Sequence, residues 1–476
     1  MSETKRLIAL DCGNSSYRMV LGTYADGALS MEVLAQEENA MTRMNGIYYW
    51  DTVKIYQFLM RNLKKCISQG IRPDSIGICA WGVDFAFFDK DGFSLGETLS
   101  YRNTMGQQIL DRLSAKQQED LFYKTGILCD RINSVYLMKA LQEIMPVRTQ
   151  SASRLLMLPD IFNYLLTGKM VNEPSELSTT QLMSARTQQL DVEVCERFGI
   201  PASWFSAIGR HGRAIGDLQP FVKEELGITG PLPVICVPSH DTASAVAAIP
   251  AQEDSFLFIS SGTWSLIGTE LSAPITTKEA LEARFTNEVG AFGKITLLKN
   301  CAGMYILSRM KQEYEDETGK SSSWQDFLNL AEQTDEDHVI DVNDERFFNP
   351  AHISQSIHEA LKRVDPGIPY RFPVLIDAVQ RSMAKNYAKT LYDLERVTKN
   401  SYDRVYLVGG GVRNTAINQM TADYSGKTVI ACGAESTCLG NLGTQLNSFY
   451  PDMDLKKIRE TIRRSIDIVE FQPGAV

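Results

Sequence analysis

A short pattern that occurs twice, about half a chain apart, constrains the fold more than any other feature of this sequence. Residues 8–23, IALDCGNSSYRMVLGT, comprise an apolar strand, a turn centred on Gly13 and a second apolar strand. Residues 256–269, FLFISSGTWSLIGT, repeat this plan around Gly262. Single hairpins are common, but two of one design suggest a duplicated domain. A polar, proline-containing break at 247–254 then predicts domains at 1–247 and 248–476.

Helix and strand patterns alternate through most of the remaining chain. Apolar residues recur every three or four positions from Ile55 to Ile67, which predicts a helix that begins near Thr52. The same spacing from Val379 to Val397 predicts a long helix. Short apolar runs at 75–80 and 405–408 are typical of buried strands. The alternation favours an α/β fold with helices packed on sheets.

Composition excludes several classes of protein. The net charge is −10, from 48 basic and 58 acidic residues, which argues against a general nucleic-acid surface. No segment approaches the roughly 18 apolar residues of a membrane span, so we expect no membrane insertion. The nine cysteines form no CxxC pair, and the N-terminal residues do not resemble an export signal. We therefore expect reduced thiols and a cytoplasmic location.

The glycine-containing turns are candidates for phosphate binding. Successive backbone N–H groups in the turn Asp11–Arg18 can surround a phosphate, and Asp11 can hold a hydrated Mg²⁺. An ordinary polar hairpin turn is equally compatible with this segment alone, but its recurrence at residues 260–263 favours phosphate binding. Gly409, Gly410 and Gly411 follow a buried strand and leave a flat backbone against which a nucleotide can lie. A flexible strand-to-helix turn is the alternative there, and it usually needs one glycine.

Two further segments carry candidate catalytic and sugar-binding residues. Asp241, in Ser239-His240-Asp241-Thr242, stands at a strand–helix junction and can accept a proton from a hydroxyl group. From that tetrapeptide alone, a helix N-cap is the commoner role for an aspartate. The segment 81–85, WGVDF, combines an aromatic ring, a glycine and an acid that can contact a sugar. From these five residues alone, a strand with a bulge is the preferred interpretation.

Taken together, these segments resemble the FGGY carbohydrate kinases, and most closely their rhamnulokinase branch. The resemblance extends over nearly the whole chain in the same order. It is carried by the segments DCGNSSYR, SIGICAWGVDF, LMLPDIFNYLLTGK, SHDTASAV, SSGTWSL, LKNCAGMYIL, VGGGVRNTAINQMTAD and AESTCLGNLGTQL.

The resemblance implies two ribonuclease-H-like (actin-like ATPase) domains with a catalytic cleft between them, and ATP, Mg²⁺ and a ketose as ligands. It implies phosphorylation of L-rhamnulose at its first hydroxyl, with Asp241 as the general base. The nucleotide residues it implies are Asp11, Asn14, Ser15, Ser16, Tyr17, Arg18, Thr263, Ser308 and Gly410, with Asp11 also near the metal through water. The sugar residues it implies are Gly82, Asp84, His240, Thr242 and Asn300, with Asn103 close to the same pocket.

The chain departs from the family pattern at four of these positions or beside them. Asn103 and Met105 replace an acid and an arginine, Tyr17 stands where glycine is commoner, and Ser308 stands where a glutamine is expected. An amide donates as well as accepts hydrogen bonds, so Asn103 can select a different sugar. L-Fuculose, another deoxyketose or a pentulose is therefore an alternative substrate. A non-catalytic sugar or nucleotide sensor with the same fold is the alternative from another class.

Overall fold

Open sheets flanked by helices organise the part of the chain that the structure describes. This computed structural model describes residues 4–334, 337–348 and 350–474. These residues form two compact units. Unit 1 comprises Met1–Asp254, Glu270–Leu297 and Ser436–Ile466, whereas unit 2 comprises Ser255–Thr269, Leu298–Glu435 and Asp467–Val476. No helix among the described residues combines the length and the apolar character needed to cross a bilayer.

The strands are Lys5–Cys12 (β1), Ser16–Ala25 (β2), Ala28–Glu38 (β3), Met41–Met44 (β4), Ile47–Trp50 (β5), Ser75–Ala80 (β6), Phe85–Phe88 (β7), Thr98–Leu99 (β8), Arg154–Met157 (β9), Ala214–Asp217 (β10), Pro233–Ile235 (β11), Leu257–Ser261 (β12), Trp264–Leu271 (β13), Thr286–Val289 (β14), Ile295–Ala302 (β15), Arg404–Val408 (β16), Thr428–Ala431 (β17) and Val469–Phe471 (β18).

The α-helices are Thr52–Ser68 (α1), Met105–Leu110 (α2), Ala115–Thr125 (α3), Ser134–Ile144 (α4), Pro146–Gln150 (α5), Leu158–Thr167 (α6), Pro174–Thr179 (α7), Val192–Phe198 (α8), Pro220–Leu226 (α9), Asp241–Ala247 (α10), Lys278–Glu282 (α11), Tyr305–Thr318 (α12), Trp324–Asn329 (α13), Ile353–Leu361 (α14), Phe372–Thr398 (α15), Thr415–Ser425 (α16), Ser436–Phe449 (α17) and Leu455–Arg463 (α18).

The two large sheets share a strand plan. One has the order β10-β11-β6-β1-β2-β3, and the other has the order β14-β15-β13-β12-β16-β17-β18. In each, a hairpin (β1–β2 or β12–β13) is antiparallel, and its first strand pairs in parallel with a later strand, β6 or β16. The two hairpins of the sequence pattern therefore occupy equivalent central places in their own sheets.

Side-chain alternation along β1 explains how its sheet acquires helices on both faces. Ile8 and Leu10 lie in the same apolar cluster as the buried face of α1. Leu7 and Ala9 point to the opposite face, where they join a cluster with α17 and α18. Gly440 lets α17 approach α10, because a Cβ at that position would overlap the backbone oxygen of Ser244.

The predicted helices and strands are confirmed in type and position. Helix α1 begins at Thr52 after the cap residue Asp51, and α15 buries the predicted apolar positions from Val379 to Val397. Asn414 caps α16, as its side chain was expected to do. The first glycine turn is shorter than predicted, because β1 extends to Cys12 and β2 begins at Ser16. Asp11 is not in the turn but in β1, because it pairs with Arg18 across the ladder.

Candidate active site

The first glycine turn, between β1 and β2, offers unused backbone donors. The N–H of Gly13 closes the turn on the backbone oxygen of Ser16 at 2.8 Å. No hydrogen bond within the described part of the chain uses the backbone N–H of Asn14 or Ser15. The side-chain oxygen of Asn14 is also buried without a hydrogen-bond partner among the described residues. Orphaned polar groups of this kind at a turn are suited to an external anion or cation.

Asp11 and Arg18 form an ion pair beside this turn. Both Arg18 Nε and Arg18 Nη2 contact Asp11 Oδ2, at 2.9 and 2.8 Å. The thiol of Cys438, on α17, lies 3.7 Å from the same oxygen. The second carboxylate oxygen, Asp11 Oδ1, takes part in neither of these contacts. The pair leaves Asp11 one oxygen for a further ligand.

The side chain of Tyr17 is buried in the core and is not exposed at the turn. Its ring is 1% exposed and packs edge-on against Phe58 of α1, with 4.8 Å between ring centroids. Its hydroxyl donates to Glu37 Oε2 at 3.3 Å. Burial, followed by the charge of Glu37, raises the pKa of Tyr17 to about 12. The tyrosine that replaces the commoner glycine therefore adds bulk to the core of unit 1 rather than to the phosphate turn.

Asp241 is the first residue of α10, and the residue at the N-cap position is His240. Asp241 Oδ1 accepts from the backbone N–H of Thr242 at 2.6 Å and from the Thr242 hydroxyl at 3.3 Å. The side chain remains 34% exposed. The surrounding protein desolvates this carboxyl and Asp11 adds negative charge nearby, so the pKa of Asp241 is raised although His240 opposes the rise. The carboxylate thus has a solvent-facing edge and increased proton affinity.

Helix α17 contacts both Asp241 and Asp11 within unit 1. The hydroxyl of Thr437 donates to the backbone oxygen of Asp241 at 3.4 Å, and Cys438 contacts Asp11. Between them, Cys79 of β6 accepts from Asn441 at 3.1 Å and lies 3.2 Å from the Ser244 hydroxyl. Asp11 is also close enough for its negative charge to raise the pKa of Asp241.

His240 lies between two carboxylates. Its Nε2 is 3.5 Å from Asp241 Oδ1, and its Nδ1 is 3.2 Å from Glu288 Oε2. Burial alone would lower the pKa of His240, but the negative charge of Glu288 and then of Asp241 raises it to about 9. The imidazole is therefore a cation at neutral pH. Glu288, on β14, was not among the residues that the sequence analysis selected.

Gly82 brings the segment 81–85 against His240. A Cβ at Gly82 would lie 2.9 Å from Thr179 Cγ2 and 3.3 Å from the His240 ring. The next residue, Val83, has φ of 72°, which is rare for a β-branched side chain. Its N–H donates to the Thr179 hydroxyl at 3.0 Å, and its backbone oxygen accepts from Ser134 at 2.6 Å. Side chains of α7 and α4 thus hold a strained backbone beside the candidate base.

Asp84 is fully buried. Its Oδ2 accepts from the indole N–H groups of Trp50 and Trp81, at 2.6 and 2.7 Å. Its Oδ1 has no hydrogen-bond partner among the described residues. Desolvation raises the pKa of Asp84 to about 7, although the two indole donors oppose the rise. The carboxyl anchors two tryptophans, and a direct sugar contact by Asp84 stays a prediction.

Asn103 uses its whole amide group on the backbone. Its Oδ1 accepts from Tyr48 N at 2.9 Å, and its Nδ2 donates to Tyr48 O and Ser100 O, both at 2.8 Å. An aspartate could not donate these last two bonds. Met105 packs against an apolar cluster of unit 1. Asn103 and Met105, which depart from the expected family pattern, therefore each contact other residues of unit 1.

In unit 2, the second glycine turn packs against the triple-glycine turn. Cβ atoms at Gly409 and Gly411 would collide with Ser261, whereas a Cβ at Gly410 would meet nothing within 4 Å. Two of the three glycines are therefore required by packing. The third, Gly410, faces open space, as a ligand-contacting residue would.

Thr263 and the start of α12 complete this part of unit 2. The backbone oxygen of Thr263 accepts from Tyr305 N at 3.2 Å, and Gly303 passes so close that its Cβ would lie 2.5 Å from Thr263 O. Thr263 is exposed. Ser308 is exposed on the first turn of α12, and Asn300 is exposed on β15. The second glycine turn, the triple-glycine turn, the start of α12 and the end of β15 thus lie together in unit 2. Local sequence patterns could not indicate this arrangement.

Comparison with known proteins identifies the family. The model of the FGGY family of carbohydrate kinases, N-terminal domain, matches residues 6–248, and that of the C-terminal domain matches residues 257–448. The chain belongs to the FGGY family of carbohydrate kinases. The predicted family and the predicted carbohydrate kinase activity are thereby confirmed.

Several curated relatives of this FGGY kinase carry one name. A rhamnulokinase of Oceanobacillus iheyensis is 35% identical over 98% of this chain and 97% of its own length. A rhamnulokinase of Bacteroides thetaiotaomicron is 34% identical, with 98% and 96% of the two chains covered. A rhamnulokinase of Bacillus subtilis is also 34% identical, with 98% and 95% covered.

Solved structures of other sugar kinases share the fold. Xylulose kinase from Lactobacillus acidophilus superposes with a TM-score of 0.79 at 16% identity, covering 99% of this chain and 94% of that one. Glycerol kinase from Plasmodium falciparum, with ADP, gives 0.77 at 14% identity and the same coverage. The two-domain α/β fold of these kinases is thereby confirmed for this chain.

Proposed function

We propose that this FGGY kinase transfers the γ-phosphoryl group of ATP to the first hydroxyl of L-rhamnulose, with Asp241 as the general base. One observation supports the chemistry most strongly. Asp241 combines a raised pKa with a solvent-facing edge, and Thr242 and α17 fix its position. The choice of sugar is supported by the rhamnulokinases that resemble this chain over nearly its whole length.

The proposed reaction needs few groups. The hydroxyl proton of the sugar passes to the carboxylate of Asp241, the hydroxyl oxygen forms a bond to the γ-phosphorus, and the bond from that phosphorus to the β–γ bridging oxygen breaks, releasing ADP. Phosphoryl transfer depends mainly on positioning and on charge stabilisation. A raised carboxyl pKa favours Asp241 as proton acceptor.

For the nucleotide, we propose that each of the two glycine turns is able to bind a phosphate group. The unused N–H groups of Asn14 and Ser15 support binding at the first turn, with Ser16 and Arg18 beside them. Tyr17 would contribute only its backbone, because its side chain is buried. In unit 2, the proposed contacts are the exposed Thr263, the open face of Gly410 and the exposed Ser308.

Asp11 and Asn14 fit a hydrated Mg²⁺. Asp11 retains one oxygen beyond its pair with Arg18, and Asn14 Oδ1 is a buried acceptor without a partner among the described residues. The described residues contain no cluster of three or more histidines, cysteines or acids that could hold a metal ion. Mg²⁺ usually needs only one or two carboxylates, since water and substrate phosphates complete its shell. When bound, the ion would neutralise phosphate charge.

For the sugar, we propose contacts from Gly82, His240 and Thr242 in unit 1, and a contact by Asn300 stays a prediction. Gly82 and His240 adjoin each other, and Thr242 adjoins Asp241. Asp84 and Asn103 would act behind this layer, because Asp84 Oδ2 accepts from Trp50 and Trp81 and the Asn103 amide bonds to the backbone of Tyr48 and Ser100. The domain boundary we propose, 1–247 and 248–476, is supported by the two family matches.

A panel of ketoses in a coupled ADP assay tests the proposal. We expect ADP formation only when sugar is present, with the highest kcat/KM for L-rhamnulose. Turnover of L-fuculose or a pentulose without turnover of L-rhamnulose would contradict the choice of sugar. ATP binding without sugar-dependent ADP formation on any ketose would favour a sensor.

A further inference from the structure

Two buried polar atoms face each other beside the proposed base. His240 Nδ1 and Glu288 Oε2 are 3.2 Å apart, and their side chains are only 10% and 15% exposed. Neither atom makes a hydrogen bond of good geometry with any described residue. A buried carboxylate oxygen is costly unless a cation or a donor faces it. The imidazolium form of His240 is a cation that has an N–H donor on each ring nitrogen. Its Nδ1 faces Glu288, and its Nε2 faces Asp241.

The backbone fixes Glu288 in this place. Its neighbours in β14, Asn287 and Val289, are both 2% exposed and face the opposite side of the strand. Asn287 donates to Gly126 O at 3.2 Å, and Val289 N donates to the Ser178 hydroxyl at 3.1 Å. Glu288 is therefore held toward His240 by contacts on both sides of it.

We propose that Glu288 is a positioning residue for phosphoryl transfer: it keeps His240 protonated, and the His240 cation in turn holds Asp241 as an oriented carboxylate. The inference rests on the proposed role of Asp241. Glu288 acts on the reaction only through the imidazole, since His240 stands between it and the base.

Several acidic groups surround His240, and Glu288 lies closer to its ring than Asp241 does. Glu288 has the largest effect among the groups that raise the pKa of His240, followed by Asp241 and Glu173. Burial has the largest effect on the pKa of Asp241 and raises it. The charge of His240 lowers this pKa, and the charge of Asp11 raises it. The titratable groups that interact electrostatically with His240 or Asp241 include Asp11 on β1, Cys79 on β6, Tyr101 before α2, Glu173 and Glu176 at α7, and Glu288 on β14.

His211 forms a second histidine–acid pair nearby, and its hydrogen bonds are different. His211 Nδ1 accepts from Phe292 N at 2.8 Å, so its proton is on Nε2, which faces Glu173 Oε1 at 2.5 Å. A neutral imidazole satisfies both of these contacts. At His240, by contrast, both ring nitrogens face carboxylates, and only the cation can donate to both.

The first test is spectroscopic and needs no substrate. The full chain, labelled with ¹⁵N at its histidine rings, is titrated as wild type, Glu288→Gln and Glu288→Asp, with His240→Gln to assign the signal. At pH 7.5 we expect an imidazolium at His240 in the wild type and in Glu288→Asp, and a largely neutral ring in Glu288→Gln. Identical titration of His240 in wild type and Glu288→Gln would overturn the proposal.

The second test measures sugar-dependent ADP formation by the same variants from pH 5.5 to 9.5. In Glu288→Gln we expect the acid limb of kcat/KM to move to higher pH and the alkaline limb to lower pH. We expect kcat at pH 8 to fall at least about tenfold, with KM for sugar changed much less. Glu288→Asp should recover most of the activity, because it retains the charge.

The outcomes separate the two proposals. A higher sugar KM with an unchanged pH profile in Glu288→Gln would place Glu288 on the sugar and overturn its positioning role alone. A wild type that phosphorylates no ketose would overturn the proposed function, whatever the spectra show. Thermal unfolding of each variant identifies a folding defect. If Glu288→Gln has such a defect, the activity and the histidine spectrum of Glu288→Asp decide whether Glu288 has the positioning role.

Discussion

Asn103 replaces an acid in the family pattern, and its amide contacts show what that replacement does locally. The amide is 7% exposed and donates two hydrogen bonds to backbone oxygens of Tyr48 and Ser100. The sequence analysis singled out Asn103 as a departure from that pattern. It could not reveal that the amide is fully used on the backbone, because Tyr48 lies far from Asn103 along the chain.

Asn103→Asp should therefore lower the free energy of unfolding and leave the sugar preference nearly unchanged. The carboxylate cannot donate to the two carbonyl oxygens, and each buried group left unsatisfied costs about 1–3 kcal/mol. Urea unfolding should show this loss. Asn329→Asp, at an exposed residue of α13, is the control and should change stability by less than about 0.5 kcal/mol. Unchanged stability with an altered sugar KM would contradict this account of Asn103.

His240 also makes stability depend on pH. Its pKa is about 9 in the folded chain, above the ordinary value of about 6.5. Its charge therefore stabilises the folded state fully below about pH 6.5, and this contribution is lost as the pH rises through about 9. The difference in unfolding free energy between wild type and His240→Gln should shrink over that interval. A constant difference from pH 6 to 9.5 would contradict the raised pKa.

At the scale of elements, the sequence predicted the hairpins and helices well because each has a local signal. The spacing of apolar residues in α1 and α15 and the glycine in each turn are contained in short segments. Glu288 was missed for the opposite reason. Its strand, β14, is short and partly polar, and only the folded chain brings it to His240.

The triple-glycine turn gives a prediction at this scale. Gly410→Ala adds a methyl group into open space, so stability should be retained while KM for ATP rises several-fold. Gly411→Ala should lower Tm, because the methyl group would overlap Ser261 Oγ. Gly230→Ala, where a Cβ also meets nothing within 4 Å, is the control and should leave both quantities unchanged. An unchanged KM for ATP in Gly410→Ala would remove Gly410 from the nucleotide site.

For the whole molecule, the repeated hairpin predicted the duplicated α/β architecture because the two glycine turns are local and similar. The arrangement of chain segments within unit 1 was not predictable in the same way. Residues 436–466 return to unit 1 from far along the sequence, and α17 then contacts both Asp11 and Asp241. Such long-range returns leave no periodic signal in a single sequence.

The thiols give a prediction for the whole folded chain. The structure joins none of the nine cysteines in a disulfide; eight of them are buried, and Cys129 is partly exposed. A thiol reagent should modify at most one cysteine per native chain, and nine after unfolding in denaturant without reductant. Rapid reaction of several thiols in the native protein would contradict the packing described for β1, β6 and α17.

The most direct test of the central claim compares wild type with Asp241→Asn in sugar-dependent ADP formation, alongside ATP binding by calorimetry. The amide cannot accept the hydroxyl proton, so kcat should fall by about 10²–10⁴-fold, the usual contribution of a general base. ATP affinity and Tm should remain close to those of the wild type, and Asp111→Asn, at an exposed residue, should leave all three unchanged. An Asp241→Asn variant that retains kcat within threefold of the wild type would contradict the assignment of Asp241 as the base.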